Sequence, residues 1–269
     1  MKWQVNIRRN TVSEYIQNFV KFRPLLNELV ARDVKIKYRR SVLGVLWTLL
    51  NPLLMMVVLS VVFSNLFRFD VENFPIYLLS GQVVFNFYSD ATTTSMSAIL
   101  SSGSLIKKVY IPKYLFVMSR ICSCVINLMA SFTALILVML ATRVELHYTI
   151  FLAFIPILLL IVFSFGIGLF LAAVTVKFRD IMHLYSVFIT ALMYLTPVIY
   201  PMSILPSWLA NIVNANPLTN YLTMFRDLMM NNTMFGMMDL FVGVLEAVVA
   251  LVIGLFVFYR NQDTFILNL

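Results

Sequence analysis

The stretch Val42-Leu43-Gly44-Val45-Leu46-Trp47-Thr48-Leu49-Leu50-Asn51-Pro52-Leu53-Leu54-Met55-Met56-Val57-Val58-Leu59-Ser60-Val61-Val62-Phe63-Ser64-Asn65-Leu66-Phe67 contains no charged residue. A helix needs about 20 apolar residues to cross a hydrocarbon core about 30 Å thick, and this run is longer. Five more runs follow. Ile76 to Leu100 is interrupted only by Asp90, Leu115 to Leu140 only by Arg120, and Leu240 to Tyr259 only by Glu246. Thr149 to Val176 and the shorter Leu184 to Tyr200 carry no charge at all. The spacing predicts an all-α polytopic membrane protein with six transmembrane helices.

Composition agrees with that reading. Of 269 residues, 61% are hydrophobic and 12% charged, where an ordinary soluble domain has about 45–50% and about 25%. Too little polar surface remains to coat a water-soluble globule. A soluble enzyme, a disordered chain and a nucleic-acid-binding module are thereby excluded. The formal net charge of +8 describes topology instead. Sixteen Lys and Arg fall in the segment before the first run, in the loops after the second and fourth, and in the tail, against Arg68, Arg143 and Arg226 on the alternate side. Positive residues stay inside, so both termini are expected in the cytoplasm. No short apolar core with a cleavage pattern opens the chain, and a removable signal peptide is not expected.

Three parts are therefore expected: a cytoplasmic amphipathic interface segment over 1–41, a six-span domain over 42–260 and a cytoplasmic tail over 261–269. In the first, Val12, Tyr15, Ile16, Phe19, Phe22, Leu26, Leu29, Val30 and Val34 recur three or four apart with Arg and Lys opposite. That pattern describes a basic helix in the interface, divided into two pieces at Pro24. It serves either as a plain anchor or to shape the place where an anionic lipid head group is admitted, with Arg32, Lys35, Lys37, Arg39 and Arg40 as the head-group candidates. Ser203 to Asp239 is too apolar for a solvated loop and too broken by Pro206 and Pro217 for a clean span. Short re-entrant helices in the outer leaflet are expected there, because irregular backbone at that depth must be covered by protein or line a watery cavity.

Catalytic motifs are missing. There is no GxxxxGK[ST] phosphate loop, no HExxH, no GxSxG and no close carboxylate pair, so no catalytic residue is assigned. Cys122 and Cys124 are two apart and His147 and His183 lie in different segments, so no metal site is expected. Ionisable groups inside spans are functional candidates. Asp90 and Arg120 stand in adjacent runs, and they either pair to hold two helices in register or reach water separately. Around Asp90, Ser89, Thr92, Thr93, Thr94, Ser95 and Ser97 fit close helix packing or, alternatively, the wall of a polar pathway.

Several blocks resemble one family. Arg32 to Trp47 running into Asn51-Pro52-Leu53 is similar to the opening of the ABC-2 type permeases that export polysaccharide. Ser104-Leu105-Ile106-Lys107-Lys108-Val109-Tyr110-Ile111-Pro112-Lys113 resembles the family's "LIKKVxxP" loop. Phe178-Arg179-Asp180-Ile181, Thr196-Pro197-Val198-Ile199-Tyr200-Pro201, Leu205-Pro206, Trp208, Asn216-Pro217-Leu218 and Arg226 continue it in family order.

The resemblance implies a permease homodimer forming a continuous channel. Two copies of a separate ABC ATPase, holding ATP and Mg, would drive it. The cargo would be a lipid-linked glycan on a polyprenyl-pyrophosphate carrier, of O-antigen, teichoic acid or cell-wall rhamnan type. Within the loop 101–114, Ser104 to Lys113 would form the coupling helix, with Arg179 and Asp180 as a second ATPase contact, and 203–239 would form outer gate helices. Tyr38, Trp47, Phe87, Tyr88, Tyr194 and Tyr200 are channel-aromatic candidates, chosen by residue type and span.

Rival classes predict other features. A secondary transporter usually shows inverted repeats and paired broken helices, and no such repeat is visible. A membrane transferase needs clustered carboxylates, whereas Asp33, Asp180 and Asp263 are scattered. An ABC-2 permease for a small hydrophobic drug or lipid is the nearest rival, separated by aromatic richness and the specific blocks.

Overall fold

A computed structural model describes residues 12–39, 43–66, 73–145 and 147–269. Among the described residues regular structure is entirely helical: α1 Val12–Tyr38, α2 Trp47–Leu66, α3 Phe74–Ser101, α4 Gly103–Ile106, α5 Tyr114–Ala141, α6 Phe154–Lys177, α7 Ile181–Tyr194, α8 Ser207–Asn214, α9 Pro217–Met229, α10 Met237–Asn261 and α11 Phe265–Asn268, with short 3-10 turns between some of them.

Local chemistry sets several boundaries. Asn73 adopts a left-handed conformation (φ 55°) just before α3, and proline stands in that helix's first turn; Asn tolerates this backbone and proline is pre-set for a helix start. Asn216 caps α9 by accepting from the Leu218 N–H at 3.1 Å, again with proline next. α1 departs from expectation. It is one helix running through Pro24, because Phe22, Leu25 and Leu29 pack on a single cluster on both sides of the proline. Pro24 itself lies on the exposed face, where one forfeited backbone bond is least costly.

Among the described residues, three helical stretches are long and apolar enough to cross a membrane: Tyr114–Ala141, Tyr148–Lys177 and Met237–Leu267. The other three expected spans differ in degree. Trp47–Phe63 and Ile181–Tyr194 are apolar but shorter. α3 has 28 residues but carries Gln82, Asn86, Asp90 and a run of hydroxyls that lower its hydropathy. The α7 helix, with 14 residues, rises only about 21 Å. α8 and α9 then follow in the segment predicted to hold short helices.

At the centre lies α6, packed on α3, α5, α9 and α10. Its approach to α10 is backbone on backbone. A Cβ at Gly254 would overlap the Gly166 carbonyl, and one at Gly166 would overlap the backbone of Ala250. Small residues permit such contact where hydrophobic burial cannot drive helix association. Leu54, Val58 and Val61 of α2 and Val248, Val252 and Phe256 of α10 face outward, which in a bilayer leaves them for lipid or another protein surface.

Candidate functional site

At the basic end, where α3, α6 and α10 finish and α5 begins, α4 supplies one helical turn and the chain then forms a knob. Lys107, Lys108, Val109 and Tyr110 are exposed, Tyr110 at 92%, whereas Ile106 and Ile111 on either side are buried at 7% each. Ser104 is exposed, and Leu105 and Pro112 are half-buried. Two apolar anchors thus push a basic, aromatic tip outward. Its rear is fixed by Lys113, whose Nζ donates to the Gln262 carbonyl and lies 5.7 Å from the Phe265 ring centroid, so the C-terminal turn clasps the knob's base. The side chain of Leu269 also lies against Gly103. Arg179 and Asp180, between α6 and α7, are both exposed at this end.

Arg32, Lys35, Lys37 and Arg39 are exposed along the last turns of α1; Arg40 and the side chain of Tyr38 lie outside the described residues. One carboxylate interrupts the basic row. Asp33 is 9% exposed, and its Oδ1 lies 3.2 Å from Arg120 Nη1 and 3.1 Å from Arg32 Nη2. The expected Asp90–Arg120 pair is therefore corrected: Arg120 pins α5 to α1, and its Nη2 also donates to Ser101 Oγ at 3.1 Å. Asp33 follows Leu26 and Leu29 at i+7 and i+4, the same buried stripe, a signal legible in the sequence and not used. Under α1, an apolar groove of about 680 Å³ runs between Leu26, Val30, Val34, Cys122 and Ile126, with Lys35 and Asn27 at its edge.

Asp90 occupies different ground. With Asn86 it lines a polar cavity of about 220 Å³ together with Lys37, Trp47, Thr48, Asn51, Pro52, Asn127 and Ser131. Lys37 and Asp90 thus share one cavity as its cation and its carboxylate. The hydroxylated neighbours divide between the two readings offered for them. Thr92 and Ser95 are buried and return their hydroxyls to Tyr88 and Ala91 carbonyls at 2.7 and 2.6 Å, which is helix packing. The polar wall comes from Asn86 and Asp90 themselves.

The aromatic candidates separate likewise. Trp47 lines the polar cavity. Phe87 and Tyr88 are buried at 4% each within the core, so this subunit offers neither as an open surface. Tyr88 borders an open apolar pocket of about 350 Å³ with Phe163, Phe188 and Leu218. Tyr194 is exposed, and its carbonyl accepts from the Tyr200 hydroxyl at 2.6 Å.

At the opposite end the residues of three distant blocks meet. Arg226 of α9, 8% exposed, donates to the Pro197 carbonyl at 2.7 Å, to those of Tyr77 and Val198 at 3.0 and 3.2 Å, and to Ser80 Oγ at 3.2 Å. Asn216 Nδ2 donates to Thr196 Oγ1 at 2.9 Å, and the Tyr77 hydroxyl donates to the Tyr200 carbonyl at 2.8 Å. Gly81 leaves room for this, since a Cβ there would come within 2.8 Å of Arg226 Nη2. The Thr196–Tyr200 bend, where backbone leaves the helix, is thus satisfied by protein. In the sequence Arg226 counts toward the charge asymmetry and the family resemblance, and neither reveals this role.

A bundle of long apolar helices, with an exposed, braced basic knob at one end and a fixed bend at the other, defines a polytopic membrane protein. The chain belongs to the ABC-2 type transporter family, whose pattern matches residues 24–230. It is 29% identical over 213 residues to the O-antigen export system permease protein RfbA of Myxococcus xanthus, covering 78% of this chain and 82% of that one. RfbA of Klebsiella pneumoniae is 24% identical over 212 residues with the same coverage. The polysialic acid transport protein KpsM of Escherichia coli is 23% identical over 238 residues, 87% of this chain and 92% of that one.

Proposed function

We propose that this chain is the permease subunit of an ATP-driven exporter of lipid-linked polysaccharide, working as a homodimer with two copies of a separate ABC ATPase. The observation that carries the reading is the knob Lys107–Tyr110, because an exposed Tyr110 between buried Ile106 and Ile111 transmits force into the bundle only if a partner grips it. ATP and Mg belong to that partner. In this reading both termini and the knob are cytoplasmic and the Arg226 junction faces outward, holding α8 and α9 as gate helices. Lys35 edges the α1–α5 groove, with Arg32 and Arg39 exposed before and after it in sequence, an arrangement suited to an anionic head group above a lipid tail. Relatives named for O-antigen export and polysialic acid transport support glycan as the cargo class. The test is co-expression with the ATPase encoded beside it in a host lacking its own exporter. Restored surface glycan supports the reading, and export of a small hydrophobic compound in its place overturns it.

A further inference from the structure

The polar cavity is an anomaly in a membrane bundle. Asn86 and Asp90 flank the middle of α3 (Phe74–Ser101), and Asn127 and Ser131 stand near the middle of α5 (Tyr114–Ala141). Each pair is four residues apart and so projects from one face of its helix. From α2, Thr48 and Asn51 complete the wall three residues apart. Asn51, Asn86 and Asp90 are exposed. Side-chain amides held at that depth without partners are expensive against lipid, and intramembrane ionisable groups by default mark a functional site.

Among the described residues, the side chains of Asn51, Asn86 and Ser131 make no hydrogen bond, although each amide offers two donors and an acceptor. They do not knit the helices together. Their chemistry selects a ligand that donates and accepts on all sides. A phosphate accepts only, and the Asp90 carboxylate in the same cavity opposes it, while Lys37 on the same lining brings its formal charge to zero. An uncharged hydroxylated ring satisfies amides, hydroxyl and carboxylate together, and Trp47 supplies an apolar ring on the same wall. The space, about seven waters' share of liquid volume, suits one sugar unit.

We infer that Asn51, Asn86, Asp90, Asn127 and Ser131 form a subsite for a single neutral sugar ring of the cargo, between α2, α3 and α5. The subsite rests on the glycan-export reading and deepens it: the diphosphate carrier is held elsewhere, and this cavity reads the sugar next to it.

The test uses the full-length chain in lipid nanodiscs and two radiolabelled probes, a polyprenyl diphosphate carrying one hexose and the same diphosphate without sugar. The expected result is about tenfold tighter binding of the hexose-bearing lipid. Asn51→Ala and Asn86→Ala, which remove side chains bonded to nothing else, should each abolish most of that preference and leave binding of the bare lipid unchanged. A preference that survives in both variants overturns the subsite and leaves the export reading standing, as does equal binding of the two probes by the native chain. If the native chain binds neither probe, the export reading itself falls and the subsite with it.

Discussion

The guanidinium of Arg226 lies 3.5 Å from the centroid of the Tyr77 ring, stacked on the side chain of the residue whose carbonyl it also binds. Among the described residues Arg226 has no carboxylate partner. Its charge is met by three carbonyls, the Ser80 hydroxyl and an aromatic face. The fork geometry is specific to arginine. Arg226→Ala should therefore lower stability by about 3 kcal/mol or more, since several buried acceptors lose their donor. Tyr77→Phe, which removes the hydroxyl's bonds to the Tyr200 carbonyl (2.8 Å) and, more weakly, to that of Pro197 (3.3 Å) but keeps the ring, should cost about 1 kcal/mol. Thermal unfolding in detergent compares the two, and equal losses would contradict the clamp.

Asp33 and Arg120 should behave as a coupled pair. A double-mutant cycle with Asp33→Asn and Arg120→Gln is expected to show a coupling of about 1–3 kcal/mol. Asp90→Asn combined with Arg120→Gln should be additive within about 0.5 kcal/mol. The reverse pattern would restore the pairing first expected from the sequence.

That reversal illustrates what the sequence carries. The apolar runs, the basic asymmetry and the punctuation by Asn216-Pro217 are local properties, and a helix stands within each apolar run, although that of the fifth, Ile181–Tyr194, stops short of Tyr200. The partner of Arg120 is not local. Depth along neighbouring spans pointed to Asp90, while the buried stripe of α1 placed Asp33 in the contact. Pro24 misled for the same reason, because tertiary packing overrode a backbone preference. Arg226 reaches residues 28 to 149 positions away, and no periodicity encodes that. The polar cavity was half legible: Asp90 stood out by charge, but Asn51, Asn86, Asn127 and Ser131 gain meaning only when three helices bring them to one wall.

Two glycine substitutions should separate close packing from mere burial. Gly254→Ala drives a methyl into the backbone of Gly166 and should cost at least about 3 kcal/mol, beyond ordinary overpacking. Gly103→Ala meets only the flexible side chain of Leu269, at 3.2 Å, and should stay within about 1 kcal/mol. Yield of folded protein and its melting temperature read both, and comparable losses would argue against the α6–α10 contact.

The knob predicts a split between stability and association. Tyr110→Ala should change stability by no more than about 0.5 kcal/mol, as exposed positions do, while weakening capture of the ATPase. Ile111→Ala removes a buried anchor and should cost about 2–5 kcal/mol. A Tyr110→Ala protein that retains full ATPase binding would remove the knob from the coupling account.

The most direct measurement of the central claim is reconstitution of this chain with its ATPase in liposomes loaded on one side with lipid-linked glycan. The account predicts glycan reaching the opposite leaflet, read by a membrane-impermeant lectin, only when ATP, Mg and both subunits are present. Transfer that is independent of ATP, or no glycan transfer alongside ATP-driven movement of a small hydrophobic dye, would contradict it.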